Sequence, residues 1–213
     1  MRMVINADDL GMSADVNAAI ANGIDAGWVT SVSILTRGPA FADAVALCLR
    51  TGVDVGVHLD ATEFYSPGNH PEAARAEWAA QLATVRRAGL DISHLDSHHH
   101  IHYRPPYREI LRDLARDNGI SRIRAMGAPV GWWRVRARTR AWLHNRNIPC
   151  TTEAFYSLSA FVGAGCPRHA SVEIMIHPGN PHSPKYQDEV KLLSEGWLAS
   201  LSPPLELISW AGI

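Results

Sequence analysis

Nine residues, His94-Leu-Asp-Ser-His-His-His-Ile-His102, hold five histidines and one aspartate. Imidazole is the commonest metal-ligating side chain and the only one whose ordinary pKa lies near neutrality. That density beside a carboxylate points to a metal centre rather than to a packing need. The plainer readings are an adventitious His-rich tract or an expression tag. The run is internal, however, follows a strand-like stretch, and is interrupted by Asp96, Ser97 and Ile101. A hydrolytic zinc-type site needs three protein ligands and an open position for water. Asp9, His58 and one member of the run would supply one carboxylate and two imidazoles. Asp8 is then placed to take the water proton, and His177 to act as a separate acid for the leaving group. Asp96 suits a supporting role, orienting a histidine. Adjacent residues can hardly all reach one ion, so most of His99, His100 and His102 are left to substrate, packing or solvent.

The elements that must position these residues alternate between strand and helix patterns. Met3–Asn6, Val29–Leu35, Val53–Leu59, Ile92–Leu95, Ile120–Ala125, Pro149–Glu153, Ser171–Ile176 and Leu205–Trp210 read as strands. Helices are expected over Ala14–Ala26 with Ser13 as N-cap, Phe41–Leu49, Glu72–Ala88, Pro105–Asn118, Trp132–Asn145 and Asp188–Glu195. The segment Tyr65–Pro71 reads as a loop, and Ser157–His169 as irregular. Alternation of this kind implies parallel βαβ units. Seven or eight mostly parallel strands in this length predict an α/β fold, a distorted (β/α) barrel of TIM-barrel type. A doubly wound open sheet is the alternative. Asp8 and Asp9, His58 and Asp60, Asp96 and His98, Arg124 and His177 each fall at or just after a predicted strand end. That rim is where barrel active sites assemble.

Composition sets bounds on partners. The 213 residues are 46% hydrophobic and 19% charged, as expected of one soluble globular domain covering residues 1–213. A net charge of −1 gives no general attraction to nucleic acid or anionic membrane. The start, MRMVINADDL, has no apolar run of signal-peptide length, and no membrane-spanning stretch occurs. Cys48, Cys150 and Cys166 are odd in number and widely spaced, which argues against a disulfide framework and for a reducing, cytoplasmic setting.

The ordered motifs Asn6-Ala-Asp-Asp-Leu-Gly11, Gly27-Trp-Val-Thr-Ser31, Gly56-Val-His-Leu59, His94-Leu-Asp-Ser-His-His-His-Ile-His102 and Glu173-Ile-Met-Ile-His-Pro-Gly179 resemble the YdjC-type carbohydrate deacetylases. These include chito-oligosaccharide deacetylase and hopanoid-associated proteins. The resemblance implies hydrolysis of the acetamide of an N-acetylated sugar in a distorted barrel holding one divalent ion. Carried over by position, Asp9, His58 and His98 would be the ligands, Asp8 the general base and His177 the general acid. Arg124 would bind a sugar hydroxyl or carboxylate, or pair with a carboxylate of the protein. Leu10 replaces the family's usual Phe, and Asp60-Ala-Thr62 departs from its usual continuation, which leaves substrate identity open. The resemblance also allows a homodimer.

Two imidazoles favour zinc, with magnesium as the alternative. Rival functions are a metal-dependent phosphoesterase on the same rim, using two ions, and a catalytically inactive sugar-binding relative. Arg134, Arg136, Arg138, Arg140 and Arg146, with Trp132, Trp133 and Trp142, form a basic helix read chiefly as a solvated face with tryptophans packed beneath or a subunit contact, the alternative being a lid or docking face for an anionic sugar-phosphate or lipid-linked substrate. Without a recognition module it does not indicate nucleic acid. Tyr65 and Tyr156 could stack on sugar rings, but aromatic packing in the core or at the surface is the favoured reading for either alone.

Overall fold

The computed structural model describes residues 1–61, 71–127, 135–146, 148–182, 184–201 and 205–213. The strands are Arg2–Leu10 (β1), Ser31–Ile34 (β2), Asp54–Leu59 (β3), His94–Ser97 (β4), Arg122–Ile123 (β5), Ala154–Ser157 (β6), Ser171–Ile176 (β7) and Glu206–Leu207 (β8). They join in one sheet whose described pairings are all parallel. The order β5-β4-β3-β2-β1-β7-β6 follows the cyclic order of a (β/α) barrel with a single break, and β8 pairs β1 off this path. Even that break is bridged. Ile123 N donates to Cys150 O at 3.2 Å and Cys150 N to Ser121 O at 3.1 Å, just ahead of β6. An open doubly wound sheet would reverse its strand order at an internal switch point, and this sheet does not. The barrel-like expectation is therefore met.

Helices Ala14–Asp25 (α1), Phe41–Thr51 (α2), Pro71–Arg87 (α3), Pro105–Asp117 (α4), Val135–Asn145 (α5), Leu158–Gly163 (α6) and Pro184–Ser194 (α7) accompany the strands. Local chemistry explains their ends. Ser13 Oγ accepts from Val16 N at 3.2 Å to start α1, and Pro105 opens α4 where its missing N–H is harmless. On α4, Tyr107, Ile110, Leu111 and Leu114 make the buried stripe. Among the described residues no helix is long and apolar enough to cross a membrane.

Along the strands, side chains largely alternate by chemistry, with Val4 and Met175 as apolar exceptions on the polar face. Met3, Ile5, Ala7, Val32, Ile34, Val55, Val57, Leu59, Leu95, Val172, Ile174 and Ile176 join the apolar core. The intervening positions, Asn6, Asp8, Ser33, His58, His94, Asp96 and Glu173, bond to one another or to Arg124 inside the barrel. Period-two alternation puts them on one face. The interior is thus a polar network rather than the usual branched apolar fill. Its floor is closed by Trp210, fully buried and stacked on His94 with ring centroids 4.9 Å apart.

Gly56 makes room for that floor, since a Cβ there would lie 2.3 Å from the His94 ring. Gly56→Ala is expected to destabilise the chain by about 1–3 kcal/mol through overpacking, read as a shift in the urea midpoint. Unchanged stability would show that His94 can move freely.

Several boundaries differ from the sequence expectation. β1 runs through the aspartate pair to Leu10 instead of stopping at Asn6. β5 is only two residues long, and β6 lies at Ala154–Ser157 rather than Pro149–Glu153. The stretch expected to be irregular contains α6. The last strand ends at Leu207, because Trp210 N turns to donate to Ser31 Oγ at 3.1 Å and carries the indole under the barrel. Trp142 is exposed rather than packed beneath its helix, with the Arg146 guanidinium 5.1 Å over its ring. Tyr65, Trp132, Trp133 and Arg134 lie outside the described residues, as do the side chains of Arg136, Arg138 and Arg140.

Candidate metal centre and active site

Consecutive residues in a regular strand face opposite sides of the sheet, so Asp8 and Asp9 should not share a site. The β1–β2 register shifts between Ala7 and Leu10, and Asp9 adopts a φ of 68°. Left-handed backbone is uncommon for a residue with a Cβ and tends to persist where the surroundings enforce it. Here it turns the second carboxylate to the same side as the first. Met12 N donates to Asp9 O at 3.0 Å and holds the bend.

Three donor atoms then converge. His58 Nε2 lies 3.4 Å, and His98 Nδ1 3.1 Å, from the same oxygen, Asp9 Oδ1. That oxygen is buried and has no aligned hydrogen-bond partner. The three atoms all lie within 4.8 Å of one another. Groups that crowd together without proper hydrogen bonds, one carboxylate and two imidazoles, suit a divalent transition-metal ion. His58 is oriented from behind, its Nδ1 2.9 Å from Asp96 Oδ1, which is the usual support for a ligating imidazole.

Asp8 is held differently. Arg124 grips it with two bonds, Nη1 to Oδ2 at 2.8 Å and Nη2 to Oδ1 at 2.7 Å, while Asn6 Nδ2 adds a third to Oδ1 at 2.8 Å. The same guanidinium pairs with Asp96, and its Nε donates to Glu173 Oε1 at 2.9 Å. Asp8 Oδ2 lies 3.9 Å from both His58 Nε2 and His177 Nε2. Asp8, His58 and Asp96 form a second group of donors close enough for an ion. Arg124 already occupies both carboxylates there, which disfavours a two-ion centre.

The electrostatics follow from this crowding. Burial would raise the Asp8 carboxyl, but Arg124 and His58 hold it well below the usual carboxylate range. Burial likewise opposes ionisation of Asp9 and Asp96, and neighbouring His and Arg groups keep both below their ordinary values. His58 would be lowered by burial, yet Asp96, Asp8 and Asp9 push it up to about 9. The negative charge that raises His58 would also stabilise a cation here. Glu173 is raised to about 7 by burial against the pull of Arg124. Burial lowers His177 below its ordinary value, although Asp8 and Asp9 counter this.

The centre opens into a cavity of about 560 Å³ whose wall includes Asp8, Asp9, His58, His98, His177 and Asn180. The structure therefore brings together the two aspartates and three histidines expected at the rim. Arg124 is fully buried and pairs with carboxylates, the second of its two expected roles. Asp60 stays outside the cavity wall: its Oδ1 caps Ala61 N at 2.9 Å and its backbone is clamped by Gln81. Tyr156 bonds His169 instead of facing the cavity, and His102 is buried against Ser97. His99 and His100 both carry a φ of 52°, and both line the cavity.

Glu173, Ser33, Asn6, Asn180 and Tyr186 were not singled out from the sequence. Counting back in twos from Asp8 and His177 reaches Asn6 and Glu173, so strand periodicity held a signal for those two. Asn180 donates from Nδ2 to Asp9 Oδ2 at 2.8 Å, and Tyr186 stacks on His177 with centroids 4.5 Å apart. Both depend on a loop return that has no periodicity.

A protein from Klebsiella pneumoniae named chitooligosaccharide deacetylase is 32% identical over 206 residues, covering 83% of this chain and 81% of that protein. A Halalkalibacterium halodurans protein named carbohydrate deacetylase is 34% identical over 142 residues, covering 54% of this chain. The matched region spans only 60% of that relative's length. A crystal structure of a candidate cellobiose-phosphate cleavage protein from Enterococcus faecalis superposes with a TM-score of 0.80 at 19% identity, covering 99% of this chain and 98% of that one. At that identity the likeness concerns the fold alone. The profile of the family described as YdjC-like protein matches residues 2–201, and the chain belongs to that family.

Proposed function

We propose that the chain is a metal-dependent N-deacetylase that converts an N-acetylated amino sugar or oligosaccharide into the free amine and acetate. One observation carries the reading: a carboxylate–imidazole triad, a second carboxylate outside it and a separate imidazole all face one cavity. The names of the curated relatives supply the sugar class. Asp9, His58 and His98 would hold one ion, with zinc preferred over magnesium because two of the three donors are nitrogen. When bound, the ion would lower the pKa of a water and polarise the acetamide carbonyl.

The chain's own residues do the rest. Asp8, fixed in orientation by Arg124 and Asn6, accepts the proton that water loses as its oxygen bonds to the carbonyl carbon. His177, lining the same cavity, gives a proton to the nitrogen as the C–N bond breaks. Burial makes its protonated form a stronger acid than an exposed imidazolium, which favours that transfer. Binding alone would need neither group, so an inactive sugar-binding role is disfavoured. The reading takes residues 1–213 as one catalytic unit in the cytoplasm. The three free cysteines suit that compartment, and the homodimer rests on family resemblance.

The test is acetate release from a panel of N-acetylated mono- and oligosaccharides, with the protein stripped of metal and then resupplied. Activity is expected to vanish on stripping and to return with one ion per chain. His58→Ala should fail to retain the ion. Phosphate-ester cleavage with two ions per chain and no acetate would overturn the reading in favour of a phosphoesterase.

A further inference from the structure

We propose that Asn180 is a positioning residue that confines Asp9 to ligation through one oxygen, and so sets which cations the centre retains. This rests on the metal-centre reading above. The Asp9 carboxylate has two oxygens in distinct surroundings. Oδ1 faces His58 and His98 and lacks an aligned hydrogen bond, while Oδ2 accepts from Asn180 Nδ2 at 2.8 Å. A carboxylate can only accept, so the Asn180 amide must present its nitrogen here. The other end agrees: Asn180 Oδ1 accepts from His182 N at 2.9 Å. Asn180 is 5% exposed, and its own N–H reaches back to His177 O at 3.3 Å.

The loop that delivers this amide is built tightly. A Cβ at Gly179 would stand 2.7 Å from Asp15 O and 3.0 Å from Val16 Cα. Its φ is 73°, a left-handed conformation that favours glycine. The turn His177-Pro-Gly-Asn180 therefore sits against the first turn of α1, and one short loop carries both the proposed acid and the clamp on Asp9. With Oδ2 engaged, Asp9 offers a single oxygen, and the set of one oxygen and two nitrogens matches a low-coordinate ion with an open position. A released carboxylate could bind through both oxygens, the mode favoured by larger oxygen-seeking ions such as calcium.

The experiment compares the wild-type chain with Asn180→Ala and Asn180→Ser after chelation, by zinc titration against a chromophoric chelator. Calcium and magnesium serve as competitors, and the visible absorption of the cobalt(II) form reports coordination. Both variants are expected to lose about 10- to 100-fold in zinc affinity. They should also give ground to calcium and show the weaker cobalt band of a higher-coordinate ion. Far-UV circular dichroism of the metal-free forms confirms folding, and if one variant misfolds the other carries the comparison. Variants with wild-type affinity and an unchanged cobalt spectrum would overturn the role of Asn180 and leave the centre standing. A wild-type chain that takes up no ion would instead remove the metal-centre reading itself.

Discussion

Asp8→Asn is expected to reduce acetate release by about 10²- to 10⁴-fold, the usual contribution of a positioned acid–base group, while the metal stays bound. The substitution is nearly isosteric, and Arg124 and Asn6 can still donate to the remaining carbonyl oxygen. Metal retention follows from geometry: the converging triad is Asp9, His58 and His98, whereas Asp8 Oδ2 stands 3.9 Å from His58 Nε2. The carboxyl lies well below its usual range, with burial outweighed by Arg124 and His58, so the acceptor is ionised near neutral pH. Its low proton affinity means that it orients and receives, and the acidification of water must come from elsewhere in the centre. Initial rates and metal stoichiometry on the same preparation separate the two effects. Turnover close to wild type would sink the assignment of Asp8 as base.

Arg124→Met is expected to destabilise the fold by about 3–5 kcal/mol, because removing one member of a buried ionic network leaves its partners uncompensated. Three partners are stranded here: Asp8, Asp96 and Glu173, each buried inside the barrel. The pH dependence supplies a second readout. In the wild type, Asp8 and Asp96 are depressed, so their contribution is present above the unfolded value and is lost only at lower pH. Glu173 has the opposite sign. Raised from 4.5 to about 7, it already lowers wild-type stability as pH rises through that window. Without the guanidinium all three carboxyls rise relative to the wild type, although imidazoles still oppose burial at Asp8 and Asp96. The native variant then binds protons that the unfolded chain releases, and its stability falls as pH rises. Urea unfolding should place the variant nearer the wild type at about pH 5 than at about pH 8. A loss that is small and independent of pH would show that the network carries little of the fold.

Much of the fold was legible because strand and helix periods differ. The apolar members of β3 and β7 recur every second residue, and the stripe on α4 recurs at helical spacing, so the elements declare themselves locally. Ser171–Ile176 and Pro105–Asp117 appear within a residue of expectation. The misplaced elements are those whose ends are decided by remote partners. β6 is located by its pairing with β7, and the chain after Leu207 bends because Trp210 finds Ser31 and His94.

The sequence by itself determined which residues could do the chemistry, since carboxylates and imidazoles at strand ends have few other uses at that density. It also held the two-residue period that makes Asn6, Asp8, Glu173 and His177 interior. Only the tertiary structure decided how they divide the work. A bulge with Asp9 at a φ of 68° turns two adjacent carboxylates into one cavity, overriding the alternation that would have separated them. Arg124 then claims Asp8, and Asn180 claims one oxygen of Asp9, through contacts spanning 116 and 171 residues. Local spacing cannot encode such contacts, because their geometry exists only once the barrel has curled and brought distant strand ends together.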